Sequence, residues 1–314
     1  MVSILVGPSS RDRATDVVPR RAGRSWVFLG DSLTEGVGSS RVSHVTELVK
    51  QLRASGAAGA ANVHEFRLRP IQSPTNAQIQ FNVAGWMSAD DEYEASDLWV
   101  WNLACEGQTI DSDFAWLPLI AALRPELVVV FRGSLESIIR PAVLRDGAWP
   151  WWVPATWRGY AAMDPRCYFS ATWWRKAKQE SIDSLKQRAR FKLLNQGDGH
   201  PLMDVDLLLG YQASLLKSLR ASGARVVVLG LLPVSEDRFP GSPAYFKVVN
   251  ARLREVAVHE GAEFFDWATQ LAQKGSPKDL FYRDGFHPNA AGASVLAEIL
   301  QTHLSRELTA ATHG

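Results

Sequence analysis

The sequence predicts an α/β protein built on a parallel sheet, and three observations carry that expectation. Apolar runs of strand length alternate with amphipathic segments of helix length along most of the chain. The clearest run, Leu-Val-Val-Val-Phe at 127–131, is continuously apolar, as a strand covered by helices on both faces must be. The 314 residues, 46% hydrophobic and 21% charged, have the composition of an ordinary globular protein.

The elements follow in order. Residues 25–29 are a compact apolar strand ending at Gly30. Val42, Val45, Leu48, Val49 and Leu52 then recur at helical spacing, with Ser55-Gly56 as the stop. A strand is expected at 63–68, a polar loop or hairpin over 70–96, and a strand at 98–103 with Trp99 and Trp101 on one face. Leu208, Tyr211, Leu215 and Leu219 make a helical stripe ending at Ser222-Gly223, followed by a buried strand at 225–229. Tyr245, Val248, Val249, Leu253 and Val256 form the next helix, 263–265 a short last strand and 290–304 a closing helix. Between about 140 and 205 the alternation breaks, so the reading is one domain over 25–310, with five core strands and an insertion or cap. No internal repeat is present.

Composition excludes several classes. A formal charge of +1 gives no general reason to bind nucleic acid or an anionic membrane. Cys105 and Cys167 are too few for a disulfide framework or a metal cluster and are expected to be reduced thiols in or near the core. No run reaches the 18 or so apolar residues of a membrane span, and the start of the chain lacks a signal-peptide pattern. A cytoplasmic protein is expected, with residues 1–24 a peripheral arm.

Two motifs carry chemistry. Gly30-Asp31-Ser32-Leu33 falls directly after a strand and before a helix. A hydroxyl there sits at the carboxyl edge of the sheet, beside helix N–H groups that favour a developing oxyanion. Asp-Ser after glycine is also an ordinary turn and cap. Asp284-Gly285-Phe286-His287-Pro288-Asn289 precedes the last helix. A serine needs a base to take its proton, and that base needs a carboxylate to hold its tautomer. The remaining histidines (His44, His64, His200, His259, His303 and His313) are read as structural.

Taken together, the blocks at 27–36 and 282–292 resemble the G-D-S-L or SGNH family of esterases and lipases. The resemblance implies a flavodoxin-like three-layer α/β/α sandwich, with Ser32 as nucleophile and Asp284 and His287 as its activating pair. The block Asn102-Leu103-Ala104-Cys105-Glu106-Gly107 is similar to the family's N-x-G-x-x-G, with Ala104 for the first glycine. It implies that Gly107, with Ser32, donates a backbone N–H to the oxyanion. The family's G-x-N-D block reads Gly133-Ser134-Leu135-Glu136, and Leu135 cannot replace the asparagine donor. Three explanations compete: Ser134, Arg132 or Ser137 substitutes; the N–H groups of Ser32 and Gly107 suffice; or the site has drifted toward binding, transfer or inactivity. Glu136 is read as a structural hydrogen-bonding residue.

The insertion holds six of the 12 tryptophans: Trp149, Trp151, Trp152, Trp157, Trp173 and Trp174. They supply either a small core or aromatic faces for a sugar or lipid. Trp149, Trp151, Trp152 and Trp157, with Asp31, are the candidate substrate-binding residues. Seven basic residues between Arg175 and Lys192 read as a solvated helix face, or as a surface for a membrane or anionic acceptor. The resulting expectation is a serine esterase acting on a glycan, lipid or small-molecule ester through an acyl-enzyme, without metal or cofactor. The alternatives are an O-acyltransferase to a sugar hydroxyl and a glycan- or lipid-binding protein with little turnover.

Overall fold

The computed structural model describes residues 3–6, 24–37, 42–56, 60, 62–72, 79–84, 96–159, 162–197 and 199–311. Its strands are β1 (Ser3–Val6), β2 (Arg24–Gly30), β3 (Val63–Gln72), β4 (Ile79–Ala84), β5 (Leu98–Asn102), β6 (Leu127–Phe131), β7 (Arg140–Pro141), β8 (Gly199–His200), β9 (Arg225–Leu229) and β10 (Glu263–Phe265). Eight form one sheet in the order β1-β4-β3-β5-β2-β6-β9-β10. Six of them, from β3 across to the edge strand β10, run parallel, while β4 and β1 extend the β3 side antiparallel.

The central strands β2, β6 and β9 are short and almost wholly apolar, so both of their faces need cover. Val27, Phe28 and Leu29 of β2, Val128, Val129 and Val130 of β6, and Val226, Val227, Val228 and Leu229 of β9 are all buried. Helices α1 (Ser32–Glu35), α2 (His44–Ser55), α3 (Leu117–Leu123), α4 (Ser134–Ser137), α5 (Val143–Asp146), α6 (Trp173–Gln196), α7 (Val205–Ala221), α8 (Ser242–His259), α9 (Trp267–Lys274), α10 (Pro277–Leu280) and α11 (Ala290–Ala311) connect them. α2 packs on α11 and α7 on α8, giving the expected α/β/α layering. The predicted stripe of α2 is its buried face. Ser43 caps its first turn through Thr46 N–H, and Gly56 ends it in the left-handed region at φ +61°.

The strand order places the site. The chain leaves β2 toward β3 and β5 on one side, then crosses back to β6 on the other. A crevice forms at the carboxyl ends of strands where the order reverses in this way. The pairing Gly30↔Phe131 closes the β2–β6 ladder at that level, so Ser32 and the turn after Phe131 leave the sheet side by side.

Three expectations change. The sheet has more than five strands, because the 70–96 region supplies a hairpin partner, β4, to an extended β3. The start of the chain is not wholly an arm: Ser3–Val6 pairs with β4, whose outer edge offers free backbone groups to a short apolar run. The rest of 1–23 lies outside the described residues, as does His313. The break at 140–205 corresponds to a segment tied at its base by the β7–β8 ladder, Arg140↔His200 and Pro141↔Gly199. It has its own small core of Val153, Met163, Ala189 and Leu193. Among the described residues, no helix is long and apolar enough to cross a membrane.

Candidate active site at the carboxyl edge of the sheet

Asp31 follows β2 and caps α1. Its Oδ1 accepts the Leu33 N–H at 2.9 Å, which fixes the sharp turn presenting Ser32 at the first helical position. Asp31 itself is only 1% exposed, so it is closed to a ligand and is a structural cap rather than a substrate-binding residue. Burial pushes its carboxyl pKa up against the pull of the Arg132 guanidinium.

The opposite wall is the loop before α11. Asp284 Oδ1 accepts the N–H groups of Phe286 and His287, each at 3.1 Å, and its Oδ2 lies 2.7 Å from His287 Nδ1. The spacing of three thus becomes a turn closed on its own carboxylate. Tyr282 N–H to His287 O at 2.8 Å and Ser235 N–H to Gly285 O at 3.1 Å fasten the turn to its surroundings. Gly285 has φ +65°, and a Cβ there would stand 2.5 Å from Ser235 Cβ, so this position requires glycine. His287 Nε2 lies 2.9 Å from Ser32 Oγ. Residues 255 apart in sequence therefore form one relay from hydroxyl to imidazole to carboxylate. For Asp284, burial pushes the pKa up, but hydrogen bonds from His287, Cys167 and the Phe286 N–H outweigh it and hold the carboxyl below its ordinary value.

The loop after β5 forms a third wall. Leu103 and Cys105 N–H groups bond to Phe28 and Gly30 carbonyls, and Asn102 Oδ1 accepts the Ala104 N–H. Glu35 Oε2, from α1, accepts the Glu106 N–H at 2.5 Å and so couples this loop to the serine turn. Glu35 lies within the 27–36 block, but its role depends on a contact the sequence does not display. Gly107 follows, exposed and at φ +73°, with open space where a Cβ would be. Among the described hydrogen bonds, none uses the backbone N–H of Ser32 or of Gly107.

Behind the turn after β6 lies a buried charged layer. Arg132 Nε donates to Asp113 Oδ2 at 2.7 Å and its Nη1 to Gln108 O at 2.7 Å. Arg132 is spent in this layer and is not a free oxyanion donor. Glu136 Oε1 accepts the Ile110 N–H at 2.7 Å, in keeping with its structural reading, while burial, opposed by Arg132, moves its pKa up to about 7. Ser134 and Ser137 are buried, with hydroxyls that have no partner among the described residues. Leu135 sits between them, 9% exposed.

The insertion reaches this site through a residue read only as a near-core thiol. Cys167 Sγ lies 3.1 Å from His287 Nδ1 and also bonds to Asp284. Burial, then the charge of Asp284, raises its pKa, so the thiol keeps its proton. Two residues on, the Phe169 ring lies 3.3 Å from the guanidinium of Arg283, which also pairs with Asp183 of α6. Of the candidate tryptophans, Trp149, Trp152 and Trp157 pack on the insertion's own core, and Trp151 is 92% exposed. Neither Cys105 nor Cys167 takes part in a disulfide.

Residues 28–295 match the family model of the GDSL-like lipase/acylhydrolase family. No curated protein matches the chain. Among solved structures, a lipase/acylhydrolase from Enterococcus faecalis is similar at TM-score 0.51 and 13% identity, covering 90% of this chain and 96% of its own. A variant of an acetyl-xylooligosaccharide esterase from Geobacillus stearothermophilus gives TM-score 0.50 and 14% identity, covering 90% and 94%. An α/β hydrolase from the metagenome of Lake Arreo gives 0.50 and 16%, with the same coverage. At these identities the likeness is one of fold. The matched family model spans most of the chain and both motif loops, and the chain therefore belongs to the GDSL-like lipase/acylhydrolase family of ester-hydrolysing enzymes.

Proposed function

We propose that this enzyme is a serine esterase in which Ser32 is the nucleophile, His287 the general base and Asp284 the carboxylate that orients it. The observation that carries the proposal is the unbroken relay of 2.9 Å and 2.7 Å from Ser32 Oγ through His287 to Asp284. His287 takes the hydroxyl proton through Nε2 as Oγ attacks the ester carbonyl, while Asp284 stabilises the imidazolium without accepting its proton. The same imidazolium protonates the departing alkoxide, leaving an acyl-enzyme. Water, deprotonated by His287, then releases the acid and restores Ser32.

The tetrahedral oxyanion is held by the backbone N–H groups of Ser32 and Gly107, both uncommitted among the described hydrogen bonds. The Ser134 hydroxyl is the third donor in this reading, in place of the side chain that Leu135 lacks. Its support is a buried hydroxyl without a partner among the described residues. The acyl group is short and carried on a glycan, a reading supported by the exposed aromatic faces of Tyr168, Trp173 and Trp174 on the insertion beside the site.

Hydrolysis of p-nitrophenyl esters of increasing chain length tests the proposal. Wild-type enzyme is expected to prefer acetate, with Ser32→Ala at background. Ser134→Ala is expected to lower kcat roughly a hundredfold to a thousandfold, as loss of one oxyanion donor does. Turnover that survives Ser32→Ala would refute the mechanism. A new ester formed from an added sugar in place of free acid would convert the reading to transfer.

A further inference from the structure

The residues from Arg166 to Ser170 face two ways. Cys167 and Phe169 touch the catalytic loop, whereas Arg166, Tyr168 and Ser170, alternating with them, line a separate cavity of about 530 Å3. The other wall is the first turns of α6, through Trp174, Arg175, Lys178, Gln179 and Ile182. The cavity and the catalytic histidine are thus reached from alternate residues of one short peptide segment.

The chemistry of the lining is one-sided. Three cations, Arg166, Arg175 and Lys178, converge with no acidic residue in the lining, and none of them has an ion-pair partner among the described residues. Clustering like charges is unfavourable unless a counter-charge arrives. Two aromatic side chains stand among them, Tyr168 at 59% exposure and Trp174 at 50%. Arg175 lies over the Trp174 ring at 5.0 Å, which keeps the cation beside the aromatic platform. Ser170 and Gln179 complete a polar rim, joined by the Gln179 Oε1 bond to Ser170 N–H at 2.8 Å.

We infer that this cavity binds an acidic sugar unit of the substrate: a ring stacked on Trp174 and Tyr168, with its carboxylate held by Arg166, Arg175 and Lys178. The inference deepens the esterase reading by making the substrate an acylated anionic glycan, whose neighbouring residues are gripped outside the catalytic crevice. A concave, polar and cationic lining suits a charged ring better than acyl chains. α6 also presents Lys176, Glu180, Ser181 and Ser184 to solvent, so it has no continuous apolar stripe to enter a membrane.

Binding tests this without turnover. Hexagalacturonate, titrated into the full-length enzyme while tryptophan fluorescence and heat are followed, is expected to bind at one site. A neutral hexasaccharide is expected to bind at least tenfold more weakly. Arg175→Glu, Lys178→Glu and Trp174→Ala, all at exposed positions, are each expected to weaken hexagalacturonate at least tenfold, with melting temperature as the check on folding. Raising salt to about 1 M, where the Debye length is near 3 Å, is expected to abolish most of the acidic preference. Equal affinity for acidic and neutral sugars, or binding indifferent to these substitutions, overturns the inference. Inorganic phosphate binding as tightly as the glycan would reduce the cavity to a simple anion site. Binding only to phosphatidylglycerol vesicles would make it a membrane surface. Because none of these readouts needs Ser32, a failed esterase assay leaves the binding result interpretable.

Discussion

The sheet frame and the insertion solve the same problem, holding a few side chains near Ser32, by different means. The frame does it with continuous apolar strands and short turns. Its core runs unbroken from Trp26 through Leu304, and the proposed nucleophile Ser32 sits at the end of a strand whose height is set by ladder register. Among its described residues the insertion has four buried apolar side chains, and it depends on ion pairs at its root, where Asp164 meets both Arg140 and Arg190. A large core gives positions that a motif can specify in sequence. A small one leans on its host, and its functional contacts are visible only once the two are docked.

The sharpest separation of the two regions is catalytic. His287→Ala is expected to lower kcat/KM roughly 10,000-fold or more, and Asp284→Asn by a similar factor through the wrong imidazole tautomer, with melting temperature little changed. Steady-state kinetics with p-nitrophenyl acetate measures both. Substitutions confined to the insertion core are expected to fall far short of that loss.

Next in size are the charges buried in the frame. Asp113→Ala strands the Arg132 guanidinium, whose side chain has 0% exposure, and is expected to cost about 3–5 kcal/mol in chemical denaturation. Leu193→Ala, in the insertion, is expected to cost about 2 kcal/mol or more, appearing as local opening of α6 in hydrogen exchange. If Leu193→Ala instead lowered protection of β2 and β6 equally, the two regions would be one cooperative unit and the contrast drawn here would fail.

The last effect is confined to acid and absent at neutral pH. His44 is buried against the rings of Phe131 and Trp267, and burial lowers its pKa to about 3. Its folded pKa lies below the unfolded value near 6.5, so the unfolded chain takes the proton first. Stability from this site is full above pH 6.5 and falls by about 1.4 kcal/mol per unit below it, down to about pH 3. His44→Phe is expected to flatten that slope in denaturation measured between pH 4 and 7. An unchanged slope would place the acid sensitivity elsewhere.

These contrasts follow what was legible in the sequence. The strands at β2, β5, β6 and β9 were readable because burial on both faces demands continuous apolar runs. The serine and histidine turns were readable because their hydrogen bonds are local, spanning two or three residues. β1 was not, and β4 only as the hairpin alternative within 70–96, since edge pairing depends on backbone groups rather than on a hydrophobic period. Asp31 was misplaced as a ligand contact because a cap and a contact residue have the same composition, and only burial separates them. Glu35, Cys167 and the Arg166–Lys178 cavity depend on contacts between loops distant in sequence, for which no periodic signal exists.

The most direct test of the central claim is covalent. A fluorophosphonate probe should attach once per chain, and peptide mass spectrometry should place it on Ser32, with labelling lost in Ser32→Ala and strongly slowed in His287→Ala. Labelling at another residue, or none while ester hydrolysis persists, would contradict a Ser32 nucleophile driven by His287.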